Sequence, residues 1–421
     1  MPLRRVGGTV AAAMLASALG ACGHGERAAA RGPYAKDAAE AIPMIERATG
    51  LRFKREPVIQ SRTKAQVRAF LEQRFKEALS DQEITGQEIL YRRLGLLPDT
   101  FDLRKSLLDL LTEQVIGFYD PKTKVLYVVE GAPREQVGLV VSHELVHALQ
   151  DQYMNLDSLQ DVHGDNDRAM AAQAVIEGEA TLAPIQAALG PGAALPAGWD
   201  RIRDMIRENQ STMPVFAAAP FVLQETLVFP YLSGAEFMRR FRSEEPGRQP
   251  YGPNMPVSTE QILHQSAYFG AHRDAPTEIT LPKPATGSVL YEDNLGEFET
   301  RLFLFQHLHD QNAAVRGAAG WDGDRYQVIR TPRGDAIVWL TVWDSQVDAA
   351  EFESDVEQVI ANRFHGATAQ ESALGKRYTI PAGRTIRLWG GEVAGRPAVL
   401  YEDLPDGVSP TLLDLKRVTL R

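Results

Sequence analysis

The sequence predicts an α+β fold, with a mainly helical domain over residues 36–319 that carries a small β-hairpin or sheet, then a small α+β domain over residues 320–421. Three observations lead there. Apolar residues recur at helical spacing from Lys64 to about residue 312. Two β-rich runs flank a proline turn between residues 115 and 129. Strand-like runs take over after Gly320–Tyr326. With 421 residues, 44% hydrophobic and 24% charged, the chain has the composition of two or three packed domains, which excludes a disordered or fibrous protein.

The first residues, "MPLRRVGGTVAAAMLASALGACG", place Arg4 and Arg5 before a short apolar run and end in Leu19-Gly20-Ala21-Cys22. This resembles a bacterial lipoprotein signal over residues 1–21, and the resemblance implies cleavage before Cys22 and a lipid on its thiol. An apolar run of about 15 residues is short for a membrane span. The expectation is an exported protein, lipid-anchored in the bacterial cell envelope. Gly23 stands where an aspartate often retains lipoproteins in the inner membrane, so the outer membrane is favoured. Residues 22–35 are small, polar and patternless, as in a flexible tether. Past them no stretch approaches 18 uninterrupted apolar residues, so membrane contact is expected through the N-terminal lipid alone.

Helices are expected at Lys64–Leu79, where Val67, Phe70, Leu71, Phe75 and Leu79 share a face, and at Asp102–Leu111. The runs Val115–Tyr119 and Lys124–Val129 enclose Asp120-Pro121-Lys122-Thr123, a type I turn signal, and read as a hairpin. Pro133 suits the first turn of a helix running to about Met154. An Asp/Asn-rich segment opens an Ala-rich helix from about Asp167 to Leu189, which stops in "GPGAALPAG". From Trp199 to about Asn312 the pattern is mostly helical. Beyond it, "RYQVIRT", "DAIVWLTVW", "KRYTI", "TIRLWGGEVAG" and "PAVLYED" read as strands, with one helix at Val347–Arg363.

Charge and cysteine usage narrow the chemistry. A formal charge of −10 argues against a nucleic-acid partner, which needs a basic surface. Cys22 is the only cysteine, so there is neither an internal disulfide nor a thiolate metal site in the folded body. Any metal must be held by His, Asp or Glu.

"VVSHELVHALQDQ" supplies such residues. His143 and His147 are four apart on a helix, hence on one face and within reach of a single ion. Glu144 lies 100° around from His143, close enough to reach a water on that ion without ligating it. This is the HExxH spacing of a zinc helix, with Glu144 as general base. Chance alone would place it in roughly one such chain in a hundred. Core packing is the competing explanation, but burying two imidazoles and a carboxylate without partners would cost several kcal/mol. A catalytic zinc takes a third protein ligand. Thirty residues after His147, Glu177 and Glu179 interrupt an apolar helix at "AVIEGEATL".

These two segments together resemble the gluzincin group of zinc metallopeptidases, in which a second helix brings a glutamate, often in Glu-Gly-x-Ala, to the HExxH helix. Glu177-Gly178-Glu179-Ala180 matches that form. The resemblance implies a zincin-like metallopeptidase domain holding Zn²⁺ on His143, His147 and Glu177, with Glu144 as the catalytic residue. Glu179, about 200° around the helix from Glu177, is the lesser ligand candidate. Many gluzincins carry an acid four residues after the ligand glutamate; here that residue is Thr181, so support for a histidine is expected from Asp151 or the acidic "DVHGDND" loop. His163, Asp161, Asp165 and Asp167 in that loop read as a cap for the next helix. More narrowly, "GFYDPKTKVLYVV", "HELVHALQDQ", "IEGEATL", "FPYLSGAEF", "TEQILH" and "GWDGDRY" resemble a family of bacterial secreted and lipid-anchored metallopeptidase-like proteins, over about Gly117–Tyr326.

The expected partner is therefore a peptide or protein substrate, with Lys124–Val129 as the strand that would hold it. Tyr231, His264 and Tyr268 are candidates for stabilising the oxyanion, without a choice among them. Oligomeric state is left unassigned. Two rivals remain: a catalytically inactive envelope binding protein, which a fourth protein ligand such as Glu179 would favour, and a zinc amidase acting on peptidoglycan.

Overall fold

The computed structural model describes residues 32–159, 163–190, 213–380, 383–409 and 412–421. The signal expected over 1–21 and the lipidation expected at Cys22 lie outside the described residues, as do Asp161 and most of the tether expected over 22–35. Helix α1 (Ala35–Thr49) opens the described body. Strand β1 (Val58–Arg62) follows, then α2 (Lys64–Ala78), α3 (Asp81–Arg93) and α4 (Leu103–Gln114). Local chemistry sets these helix starts. Thr63 with Gln66, and Ser80 with Glu83, form reciprocal capping boxes, while Asp102 accepts the Lys105 N–H.

The expected hairpin forms from β2 (Gly117–Asp120) and β3 (Val125–Val129). Its turn closes with the Lys124 N–H on the Asp120 carbonyl at 2.8 Å, Lys124 itself taking a φ of 60°. Strand β1 adds in parallel to the other side of β3, giving the order β1-β3-β2. Strand β3 is thus the middle strand, hydrogen-bonded on both sides, and has no edge to offer a peptide. The sheet's edges are β1 and β2.

Helices α5 (Arg134–Gln150), α6 (Asn166–Leu189) and α7 (Phe221–Glu244) come next. Helix α5 turns Val137, Val141, Leu145 and Leu149 into a core shared with α1 and β3, where Ala38, Ile42, Leu126 and Val128 meet them. The short helix α8 (Thr259–Leu263) and strands β4 (Ile279–Thr280) and β5 (Ser288–Asp293) lead to α9 (Gly296–Leu308) and α10 (Gln311–Ala318). Among the described residues no helix is long and apolar enough to cross a membrane.

Then β6 (Trp321–Thr331), β7 (Gly334–Trp343), α11 (Gln346–Arg363), β8 (Thr368–Ser372), β9 (Gly375–Ile380), β10 (Arg384–Val393) and β11 (Arg396–Pro405) complete a seven-stranded antiparallel sheet, ordered β5-β6-β7-β11-β10-β9-β8. Strand β12 (Thr419–Leu420) pairs with β4. The α+β class is as expected, and the large antiparallel sheet sits in the C-terminal region. It takes β5 from upstream of residue 320. Strand β7 is apolar along its length because both faces are covered. Ile337, Trp339 and Trp343 face the helical core with Phe352 and Val356, whereas Val338, Leu340 and Val342 face a second cluster with Leu412 and Val418.

Asp324, in "GWDGDRY", locks helix to sheet. Buried on β6, it accepts the N–H groups of Leu295 and Gly296 at 2.8 Å and the indole N–H groups of Trp321 and Trp339 at 3.2 and 2.9 Å. It caps α9 and clamps that helix against the sheet. Asp324→Ala would leave buried donors unpaired, so a loss of about 4 kcal/mol is expected in urea unfolding, most of one domain's stability.

A second consequence concerns pH. His307 donates from Nε2 to the Leu94 carbonyl at 2.8 Å, and burial, with the charge of Arg363, holds it down to about 4. The unfolded chain takes up this proton first, near pH 6.5. The increment is therefore fully present above pH 6.5 and is lost as pH falls towards 4. Thermal unfolding across this range should show the loss, and His307→Phe should remove that part of the slope.

Candidate metal centre

Helix α5 is pressed between α6, α1 and the small sheet, and this packing buries the HExxH residues. His143 is 6% exposed and Glu144, His147 and Glu177 are at most 1% exposed. His143 Nε2 lies 3.1 Å from His147 Nε2 and 3.2 Å from Glu177 Oε2, and His147 Nε2 lies 3.4 Å from the same oxygen. Three potential ligand atoms from two helices thus converge on one point, as expected from the spacing. Each can offer one donor to an ion.

Helix α6, which carries the glutamate and packs on α5, crosses α7 at glycines. A Cβ on Gly178 would stand 2.2 Å from the Gly234 carbonyl carbon, and one on Gly234 would stand 2.0 Å from the Ala174 oxygen. The glycine in "EGEA" serves close helix approach rather than an unusual backbone angle. Gly117 does the same for the sheet, since a Cβ there would meet Val140 at 2.6 Å. That approach lets the Tyr119 N–H donate to Glu144 Oε2 at 2.8 Å. The other oxygen, Glu144 Oε1, is buried without a hydrogen-bond partner.

Electrostatics follow from burial and proximity. Burial pulls His147 down, but the charge and hydrogen bond of Glu177, with Glu144 beyond it, outweigh this and raise it. Glu177 is pushed up by burial and brought lower overall by the two imidazoles. Burial lowers His143, against a hydrogen bond to Glu177. Burial pushes Glu144 up to about 8.

Gln150 decides which nitrogen of His147 faces the centre. Its Nε2 donates to the Ile176 carbonyl at 3.1 Å and to Glu179 Oε2 at 3.3 Å, both acceptors, so its Oε1 must be the atom 2.9 Å from His147 Nδ1. The proton of a neutral His147 then sits on Nδ1, and the Nε2 lone pair points at His143 and Glu177. Gln173 holds Glu177 in the same way, donating to Oε1 at 2.8 Å. Glu179 is spoken for by Arg242, Tyr251 and Gln150, which leaves it unsuited as a fourth ligand.

The expected supports are therefore corrected. Asp151 does not hold a ligand histidine; it accepts from the Tyr119 hydroxyl at 2.7 Å and from Lys124 Nζ at 2.6 Å, pinning the hairpin to the end of α5. In the acidic loop, Asp165 caps α6 through the Arg168 N–H, Asp167 accepts from Thr259, and His163 meets Glu83 at 3.1 Å. Gln150 and Gln173 went unnoticed in the sequence although their spacing marks them, three residues after His147 and four before Glu177. Of the three oxyanion candidates only Tyr231 adjoins the site, its ring stacked on His143 with centroids 5.9 Å apart. His264 is held by Glu297 and Arg301, and the Tyr268 hydroxyl donates to the Asn254 carbonyl. Gln150→Ala should weaken metal binding by about 10–100-fold without unfolding the chain, read by competition with a coloured zinc chelator.

Residues 287–396 match the model of a domain of unknown function, DUF8575. The match covers β5 through β10 and lies outside the His143–Glu179 segment. No curated protein matches the chain. No solved structure matches it either.

Proposed function

We propose that this chain is a zinc-dependent peptide hydrolase of the gluzincin type, built on a zincin-like helical domain and tethered by an N-terminal lipid to the bacterial cell envelope. One observation carries the reading: His143 Nε2, His147 Nε2 and Glu177 Oε2 stand 3.1–3.4 Å apart, converging on one point. Ligands around a tetrahedral zinc at 2.0–2.1 Å are separated by about 3.3–3.4 Å, so the donor set fits the ion. The Gln150 contact, which turns a lone pair inward, supports the same fit.

When bound, the ion would act as a Lewis acid towards water and a carbonyl group. Glu144 provides the base. Its Oε2 is steadied by the Tyr119 N–H while Oε1 is free to take a proton from water and return it to the leaving amine. Burial pushes the Glu144 carboxyl up, which favours handing the proton on once it has been taken. Of the three oxyanion candidates, Tyr231 is the one whose ring lies beside His143, which supports that role for it. Strand β3 is paired on both sides, so an extended peptide could add only at an edge of the small sheet, β1 or β2.

Incubating the full chain, zinc-loaded, with denatured proteins and mapping new termini by mass spectrometry tests this. Cleavage that a chelator stops and zinc restores is expected. A fully zinc-loaded chain that produces no new termini would overturn the reading.

A further inference from the structure

A second group of ligating atoms lies apart from the HExxH site. Glu260 on α8, Asp274 in the loop after residue 269 and Asp344 at the end of β7 each place a carboxylate oxygen within 4.8 Å of the other two. Among the described residues none of these three carboxylates has a hydrogen bond or ion pair, although Glu260 is only 6% exposed. Buried carboxylates ordinarily find donors. Glu260 instead points into two further carboxylates.

The surroundings do not supply the missing charge. Glu297, Asp274, Asp344 and Asp167 are the strongest charged influences on Glu260, all of them acidic. Asp344 faces Asp274, Asp322 and Asp348, and the cation among its strongest influences, Arg396, is paired with Asp322 at 3.2 Å. Burial first, then these neighbours, push Glu260 up to about 9 and Asp344 up to about 6. Meanwhile the backbone is held in place. The Asp274 N–H donates to the Ala267 carbonyl and the Asp344 N–H to the Gly320 carbonyl, both at 2.9 Å, while Gln261 donates to the Asp274 carbonyl. The three carboxylates come together through ordered chain rather than a chance encounter of long side chains.

We infer that Glu260, Asp274 and Asp344 form a calcium-type divalent-cation site that ties α8 and its following loop to the end of β7. The donors are oxygen only, which selects a hard cation and not zinc. Ca²⁺ accepts irregular oxygen cages at about 2.3–2.6 Å, whereas Mg²⁺ demands near-ideal octahedral geometry at about 2.0–2.1 Å. The site shares no residue with the HExxH centre. It would nonetheless brace it, because α8 packs on α6 and Thr259 holds Asp167 at the start of that helix.

Equilibrium dialysis of the zinc-loaded full chain against labelled Ca²⁺ tests the inference. One ion per chain is expected, with a dissociation constant on the order of 10⁻⁴–10⁻³ M for a site with three protein carboxylates. Asp274→Asn, an exposed change that leaves the core intact, should weaken binding at least about tenfold, and Glu260→Gln should do the same. Mg²⁺ at equal concentration should compete poorly. No bound Ca²⁺ at 10-fold higher concentration, or binding unchanged in both variants, would overturn it.

Discussion

Glu144→Gln should bind zinc as the parent does yet hydrolyse peptides about 10²–10⁴-fold more slowly. The substitution keeps the shape of the side chain, and an amide oxygen can still accept the Tyr119 N–H now held by Oε2. What disappears is the proton acceptor at Oε1, which has no other partner. Loss of stability cannot explain such a result. Glu144 is fully buried with its carboxyl already pushed up to about 8, so a neutral amide there should leave the melting temperature unchanged or raise it. Three readouts check the prediction together: kcat on a cleaved peptide, zinc content, and thermal unfolding. Equal hydrolysis by the variant would remove Glu144 as the base.

Gly178→Ala should cost about 3 kcal/mol or more of stability, the upper end of what overpacking usually does. The added methyl would meet backbone, not a flexible side chain, with the Gly234 carbonyl carbon at 2.2 Å and its oxygen at 2.3 Å. Relief requires α6 and α7 to separate along their most heavily packed contact. Because Glu177 is the preceding residue, the same movement draws its carboxylate from the imidazoles. Reduced zinc affinity should therefore accompany the lower melting temperature. Gly138→Ala, where a Cβ on α5 would meet nothing within 4 Å, is the control and should be neutral or slightly stabilising.

Local sequence made the helices legible. The expected Lys64–Leu79, Asp102–Leu111, Asp167–Leu189 and Val347–Arg363 agree with the observed Lys64–Ala78, Leu103–Gln114, Asn166–Leu189 and Gln346–Arg363 to within a turn. Capping boxes and apolar faces act over a few residues, so they can be read that way. Strand β1 could not, because "VIQSR" is stabilised by its parallel partner β3 more than 60 positions away. For the same reason β3 reads as an edge strand until that partner is in place. Strands β5 and β8 are partly or wholly exposed and lack the alternation that marks a half-buried strand.

The candidate centre divides likewise. His143, Glu144 and His147 are set by one helix, and their convergence was visible from spacing alone. That Glu177 joins them depends on α6 packing against α5, which no local rule shows. Asp151 looked like a support because it is acidic and near. It is i+4 from His147 and so on the same face, but its carboxylate is taken by Tyr119 and Lys124, and Gln150, at i+3, is the one that meets the imidazole. The carboxylates of Glu260, Asp274 and Asp344 are scattered over more than 80 positions and meet only in the folded chain.

The most direct measurement is a zinc titration of the chelator-stripped full chain by calorimetry, set beside His147→Ala and Glu177→Ala under the same conditions. The account predicts one tightly bound zinc per chain in the parent and its loss in both variants while their folds persist. A folded parent that takes up no zinc, or variants that bind it as tightly as the parent, would contradict it.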